Sequence, residues 1–168
     1  YLKDKNKIKL PNKSVIITFD DGYKSQIDII PILEKYNFKA TFFLYKDCIG
    51  KYQICMDQKD INYLIEKKMK IANHTEHHIY MTDYKNNTIK KELQNNKEFL
   101  ESFGFNNVEN IMAYPYGIED ERIKDIVKEF GFIGAFGVSV FAKNKNDIWN
   151  IPRVLIGENI DNFYELFK

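Results

Sequence analysis

The run Val15-Ile16-Ile17-Thr18-Phe19-Asp20-Asp21-Gly22 joins an apolar, β-branched stretch to two carboxylates and a glycine. A short apolar run of this kind is the mark of a buried strand, and the Asp-Gly pair is the turn signal that stops it. Working outward, the same alternation repeats. Ile27, Ile30 and Leu33 have helical spacing over residues 25–36, and Pro31 predicts a kink or break there. Residues 40–44 read as a second strand and 60–68 as a helix with Ile61, Leu64 and Ile65 on one face. Residues 69–73 form a third strand, 87–103 an amphipathic helix closed by Gly104, and 111–114 a fourth strand stopped by Pro115 and Gly117. A helix over 119–130 ends at Gly131, strands follow at 132–140 and 151–156, and 161–167 reads as a closing helix. Strand and helix alternate along most of the chain, which predicts parallel βαβ units in an α/β fold.

The length of 168 residues suits one domain, with residues 1–13 a polar arm and 14–168 the folded unit. A net charge of +1, with acids and bases scattered, gives no electrostatic case for nucleic acid or an anionic membrane as partner. No apolar run approaches the roughly 18 residues that would span a bilayer. The chain opens at Tyr1, so a signal peptide already removed would leave no trace in it. Cys48 and Cys55 could pair across a short loop or stay free, and two cysteines settle neither point.

Three polar clusters each follow the end of a different strand: Asp20-Asp21-Gly22, His74-Thr75-Glu76-His77-His78, and Ala113-Tyr114-Pro115-Tyr116-Gly117. Strand C-termini are where α/β barrels and open α/β sheets gather their sites. Neighbouring side chains of an extended segment point to opposite sides, so adjacent acids can divide two jobs, metal ligation and proton transfer. The plain alternative is a turn or helix cap. All 3 histidines fall within residues 74–78, and His74 and His78 can meet one ion, with His77 a bystander or a support. Two imidazoles and one carboxylate make a three-ligand site with open positions. Zinc is the default ion, with cobalt, nickel, manganese and iron also able to occupy it. Such an ion activates water for hydrolysis of an amide or ester, with an Asp as general base. In the third cluster, Pro115 rigidifies a turn from which the backbone N–H of Tyr116 could stabilise an oxyanion and its ring could stack on a sugar.

Taken in order, the clusters resemble the motifs of the polysaccharide deacetylase family, the NodB-homology or carbohydrate esterase family 4 domain. Thr18 to Gly22 matches the first motif, His74, Thr75 and His78 the second, and Ala113 to Gly117 the third. The resemblance implies a deformed (β/α) barrel with about seven parallel strands in a single domain. It implies Asp20 as catalytic base, Asp21, His74 and His78 as ligands of a divalent metal, Thr75 as the residue holding the second-motif loop, and Tyr116 as oxyanion donor. Pro115 and Trp149 join as supporting or substrate-binding residues. The implied activity is N-deacetylation of an N-acetylglucosamine polysaccharide by a monomer outside the cell or at its surface. Two departures stand out. Ala113 replaces an Arg that positions the catalytic Asp, and no histidine follows His78 to serve as general acid. The same departures, with Leu10-Pro11-Asn12-Lys13, resemble a subgroup acting on poly-β-1,6-N-acetylglucosamine, while peptidoglycan, chitin oligomers and acetylated xylan stay open. Rival readings are a carbohydrate-binding domain that kept the fold but turns over weakly, and a non-haem iron oxygenase, for which an all-β scaffold is the expectation.

Overall fold

Apolar residues in alternating strand positions build both faces of the sheet. Strand β1 (Ile17–Asp20) is followed by a 3₁₀ segment, Lys24–Ile29, and helix α1 (Ile30–Lys35). The two segments meet at the predicted break, since Pro31 is tolerated in the first turn of α1 and nowhere deeper. Then come β2 (Ala40–Leu44), α2 (Gln58–Glu66), β3 (Lys70–Asn73), α3 (Asn86–Glu101), β4 (Val108–Ala113), α4 (Glu121–Phe130) and β5 (Ala135–Phe136). This computed structural model describes residues 14–104, 108–138 and 147–156. The proposed arm over 1–13 and the closing helix over 161–167 lie outside them.

Local chemistry sets the helix limits. Asp57 accepts N–H bonds from Lys59 and Asp60 while the Asp60 carboxylate bonds back to the Asp57 N–H, a capping box that starts α2 two residues ahead of the apolar periodicity. Asp120 caps α4 through the Ile123 N–H, and Gly131 ends it at φ 98°, a left-handed conformation that glycine reaches without strain.

The sheet runs β1-β2-β3-β4-β5, every neighbouring pair parallel. Pleating sends Phe42 and Leu44 outward into a core with Ile30, Ile61, Leu64 and Ile71. It sends Phe43 the other way, into a small cluster with Ala72, Ala113 and Phe136. A further core, with Ile89, Leu93, Tyr114, Ile123 and Val127, packs α3 and α4 against β4. Each fully buried large side chain contributes about 1.5–3 kcal/mol by leaving water.

Among the described residues five strands stand where about seven were expected. The described part of the stretch expected as a strand over 132–140 pairs with β4 at Ala135 and Phe136 alone, and 139–140 lie outside the described residues. The last expected strand, over 151–156, is reduced to one parallel bridge between Ile151 and Phe136. Pro152 follows with no N–H to carry a ladder onward, and Val154, Leu155 and Ile156 are exposed. No helix among the described residues is long and apolar enough to cross a membrane. Cys48 and Cys55 form a disulfide in the loop after β2.

Candidate active site

The C-terminal ends of β1, β3 and β4 carry the three sequence clusters to one mouth of the sheet. Asp20 is the last residue of β1 and Asp21 the first beyond it, at φ 73°. The two carboxylates are separated by this left-handed turn, not by the extended alternation expected from sequence. Gly22 is also left-handed (φ 77°), and a Cβ there would lie 2.8 Å from Ile49 Cδ1 and 3.0 Å from Leu44 Cδ2. The turn therefore seats directly on the β2 core.

His74 is buried, and its Nδ1 lies 2.8 Å from the Ala113 carbonyl oxygen. A carbonyl only accepts, so Nδ1 carries the proton and the Nε2 lone pair faces the mouth. That Nε2 is 3.5 Å from Asp21 Oδ1, and His78 Nε2 is 3.2 Å from the same oxygen. Asp21 Oδ1 is buried and has no hydrogen-bond partner. An unpartnered buried carboxylate oxygen is costly unless a cation or proton completes it. Burial alone would raise the Asp21 pKa, and positive charge at the His74 and His78 nitrogens outweighs it and holds the carboxyl well below the usual carboxylate range. The pocket therefore favours positive charge, and two imidazole nitrogens with one carboxylate oxygen, all within 4.8 Å of one another, form a donor set that fits a divalent ion.

Backbone strain is concentrated at this mouth. Of the six non-glycine residues with positive φ among the described residues, Asp21, Thr75, His78 and Tyr116 lie here, each at a cost of order 1–2 kcal/mol. The surrounding bonds over-determine them. The Thr75 N–H donates to Asn73 Oδ1, and Thr75 Oγ1 accepts the His78 N–H, so Thr75 closes the loop between the two histidines. Pro115 is buried and opens the turn that puts Tyr116 at φ 60° and ψ 2°. The Tyr116 ring stacks on Tyr80 with centroids 3.8 Å apart and packs edge-on to His78 at 4.5 Å. Tyr45 also approaches His78, with centroids 5.2 Å apart. Trp149 sits farther back: its ring packs against the α3–α4 core, Lys128 lies 5.9 Å over it, and its carbonyl accepts the buried Tyr114 hydroxyl at 2.8 Å. Its link to the mouth runs through Tyr114 and the turn that follows.

Sequence reading left Asp20 without a partner, because Ala113 offers none. The structure supplies Arg153. Its Nη1 and Nη2 each lie 2.6 Å from one oxygen of the Asp20 carboxylate, Nη1 also reaches Thr18 Oγ1 at 3.2 Å, and Nε donates to the Gly137 carbonyl at 3.0 Å. The guanidinium crosses the Phe43 ring at 5.4 Å to get there. One signal was available in the sequence: only two of the 25 basic residues are arginine, Arg122 and Arg153, and a rigid fork is hard to replace with lysine.

The family model described as polysaccharide deacetylase matches residues 7–135, which contain all three clusters. The chain belongs to the polysaccharide deacetylase family. Within it, the poly-beta-1,6-N-acetyl-D-glucosamine N-deacetylase of Staphylococcus aureus strain MSSA476 is 28% identical over 185 residues, covering 100% of this chain and 62% of that protein. The counterpart in strain MRSA252 is 29% identical. Among solved structures, the deacetylase PplD of Streptococcus pyogenes superposes with a TM-score of 0.84 at 20% identity, over 99% of this chain and 76% of that one. IcaB from Ammonifex degensii gives 0.80 at 22%, over 99% and 76%. At such identity the structures establish the fold, a single parallel α/β half-barrel. The chain spans 44% to 62% of the length of the curated relatives it matches first.

Proposed function

We propose that this polysaccharide deacetylase domain is a metal-dependent hydrolase that removes N-acetyl groups from an N-acetylglucosamine polymer, with poly-β-1,6-N-acetylglucosamine the favoured substrate. The observation that carries the reading is the orphaned Asp21 Oδ1 between two imidazole nitrogens, next to a carboxylate that is held apart from it by Arg153. Asp21, His74 and His78 would hold the ion, with zinc the best match to two nitrogens and one oxygen. A divalent ion bound there supplies Lewis acidity, lowering the pKa of a water and polarising an acetamide carbonyl.

The chain's own residues do the rest. Asp20 takes the proton of the attacking water; its carboxylate keeps lone pairs free beyond the two bonds from Arg153. The Tyr116 N–H, presented by the left-handed turn, donates to the oxygen that gains charge as the carbonyl carbon becomes tetrahedral. The C–N bond then breaks, and the amine must receive a proton. His74 Nδ1 is committed to Ala113 and His77 Nδ1 to Glu92, so we assign the return of the proton to Asp20 as well. The products are acetate and a free amine. The stacked, half-exposed Tyr80 and Tyr116 rings offer a flat face for a neutral sugar. A domain that bound sugar without turnover would have no use for a clamped carboxylate beside the ligand set. The polymer preference rests on the likeness to the Staphylococcus aureus enzymes over the whole chain. The Cys48–Cys55 disulfide supports action in an oxidising compartment outside the cell.

The test is acetate release from β-1,6-linked N-acetylglucosamine oligomers by chelator-treated protein, with and without added zinc or cobalt. Release that returns only with metal is expected, and Asp20→Asn is expected to bind metal normally while losing at least about a hundredfold in kcat. Full activity in Asp20→Asn would remove the assignment of the base. Metal-independent release would remove the reading of the site.

A further inference from the structure

A second group of potential ligands, Glu76, His77 and Glu92, lies beside the first. Each of its carboxylate oxygens already has a hydrogen-bond donor. Glu92 Oε2 accepts the backbone N–H groups of Glu76 at 3.0 Å and His77 at 2.9 Å, and Oε1 accepts from His77 Nδ1 at 2.8 Å. The Glu76 carboxylate accepts from Lys46 Nζ at 2.6 Å and Asn95 Nδ2 at 2.6 Å. A cation entering there would have to displace these donors, so the cluster is built for something other than metal.

What it does is hold the loop between His74 and His78 from behind. Two of the five residues in that loop are left-handed, and it contains no glycine to make that conformation free. Glu92 is buried in α3 and accepts the two central backbone N–H groups of the loop. One turn further along α3, Asn96 donates to the Leu44 carbonyl at 2.8 Å, and Leu44 O also accepts the His74 N–H at 3.2 Å. Asn73 donates to the Leu93 carbonyl at 3.0 Å while accepting from Thr75 N–H. One face of α3 thus fixes the ends of β2 and β3 and the loop that carries both imidazoles. Charge-assisted bonds from a carboxylate to backbone N–H groups are the strong members of that set.

We propose that Glu92 is a positioning residue for the metal centre: it acts through the loop backbone to aim His74 and His78 at a shared ion, without touching the ion. The inference rests on the metal reading of Asp21, His74 and His78. Groups that orient ligands from behind typically change metal affinity by about ten- to a hundredfold when removed.

The experiment measures the zinc dissociation constant by competition with a chromophoric chelator, and the visible absorption spectrum of the cobalt form, for wild type, Glu92→Ala and Glu92→Gln. Lys90→Ala, an exposed site on the same helix paired with Glu129, serves as the reference for a change on α3 that leaves the loop alone. The chelator-treated proteins are also unfolded in urea, so that affinity is compared between folded chains. The expected order is wild type and Lys90→Ala tightest, Glu92→Gln about three- to tenfold weaker, and Glu92→Ala about ten- to a hundredfold weaker, with altered cobalt bands. A purely structural role for Glu92 would lower the urea midpoint and leave the cobalt bands in place. The proposal is overturned if Glu92→Ala, or Glu92→Gln should the alanine variant not fold, matches wild type within about twofold in affinity and in spectrum. Wild type that binds neither ion would instead overturn the metal reading itself, and this inference with it.

Discussion

Arg153 and Asp20 are 133 residues apart in sequence and meet through two 2.6 Å contacts at the mouth of the sheet. Two N–H donors in a rigid fork fix both oxygens of one carboxylate, whereas a lysine ammonium is a single flexible point charge. Arg153→Lys is therefore expected to keep the charge but lose the orientation, lowering kcat about ten- to a hundredfold with little change in zinc affinity. Acetate release and chelator competition on the same preparation separate the two; an unchanged kcat would mean that Asp20 needs no clamp. The contrast with the ligand set explains what could be read residue by residue. His74, Thr75 and His78 lie within one short loop, and Asp20 and Asp21 are adjacent, so their chemistry is written locally. Arg153 becomes visible only when the end of the sheet is folded back over Phe43. Glu92 was equally hidden, because on sequence alone it is one more charged residue in a helix rich in Lys and Glu.

Elements were legible wherever a single period ran long enough. Helices α3 and α4 and strands β2 and β3 fall close to where apolar spacing and terminal signals put them. The later strands failed for a different reason: an apolar, β-branched stretch marks a segment that can pair, and pairing also needs a neighbour with free N–H groups in register. After Phe136 the partner segment offers Ile151 and then Pro152, so the ladder stops. The cysteine loop was undecidable from spacing, and its position now gives it a role. Just past it the Met56 N–H donates to the Gly22 carbonyl at 2.9 Å, and from within it the Gly50 N–H donates to the Met56 carbonyl at 2.8 Å and the Ile54 carbonyl accepts the Lys24 N–H at 2.8 Å. The disulfide, with a sequence separation of 7, thus closes the loop that braces the Asp21-Gly22 turn. Closing a loop of that size removes denatured-state entropy worth about 2.5 kcal/mol. The double variant Cys48→Ala, Cys55→Ala is expected to lose about 2–3 kcal/mol in urea unfolding, and wild type in reductant to lose a similar amount. Equal stability of the oxidised and reduced proteins would show that the loop is held by its hydrogen bonds alone.

At the scale of the molecule, alternation of strand and helix was enough to anticipate a parallel α/β sheet, and not how far the sheet would close. An open sheet leaves the segment after β5 to be fastened by side chains. Lys124 of α4 does this by bonding Asp147 at 3.0 Å as well as Glu121 at 2.9 Å, while Asp147 also accepts the Trp149 N–H at 2.9 Å. The hydrogen bond to Glu121, with that to Asp147, raises the Lys124 pKa from 10.5 to about 12. For Asp147, burial raises the pKa, but the Trp149 N–H and the Lys124 ammonium outweigh it and leave it lowered. The signs follow directly. A base with a raised folded pKa contributes fully below its unfolded value, and that contribution is lost as the pH climbs from 10.5 towards 12. An acid with a lowered folded pKa contributes above its unfolded value of 3.8, and that contribution is lost as the pH falls below it. The stability difference between wild type and Asp147→Asn, measured by urea unfolding across pH, should therefore be flat through the neutral range. It should shrink both above 10.5 and below 3.8. A difference that shrinks below 3.8 but stays constant above 10.5 would mean that Asp147 holds this segment through the Trp149 N–H alone, with the charge on Lys124 contributing nothing.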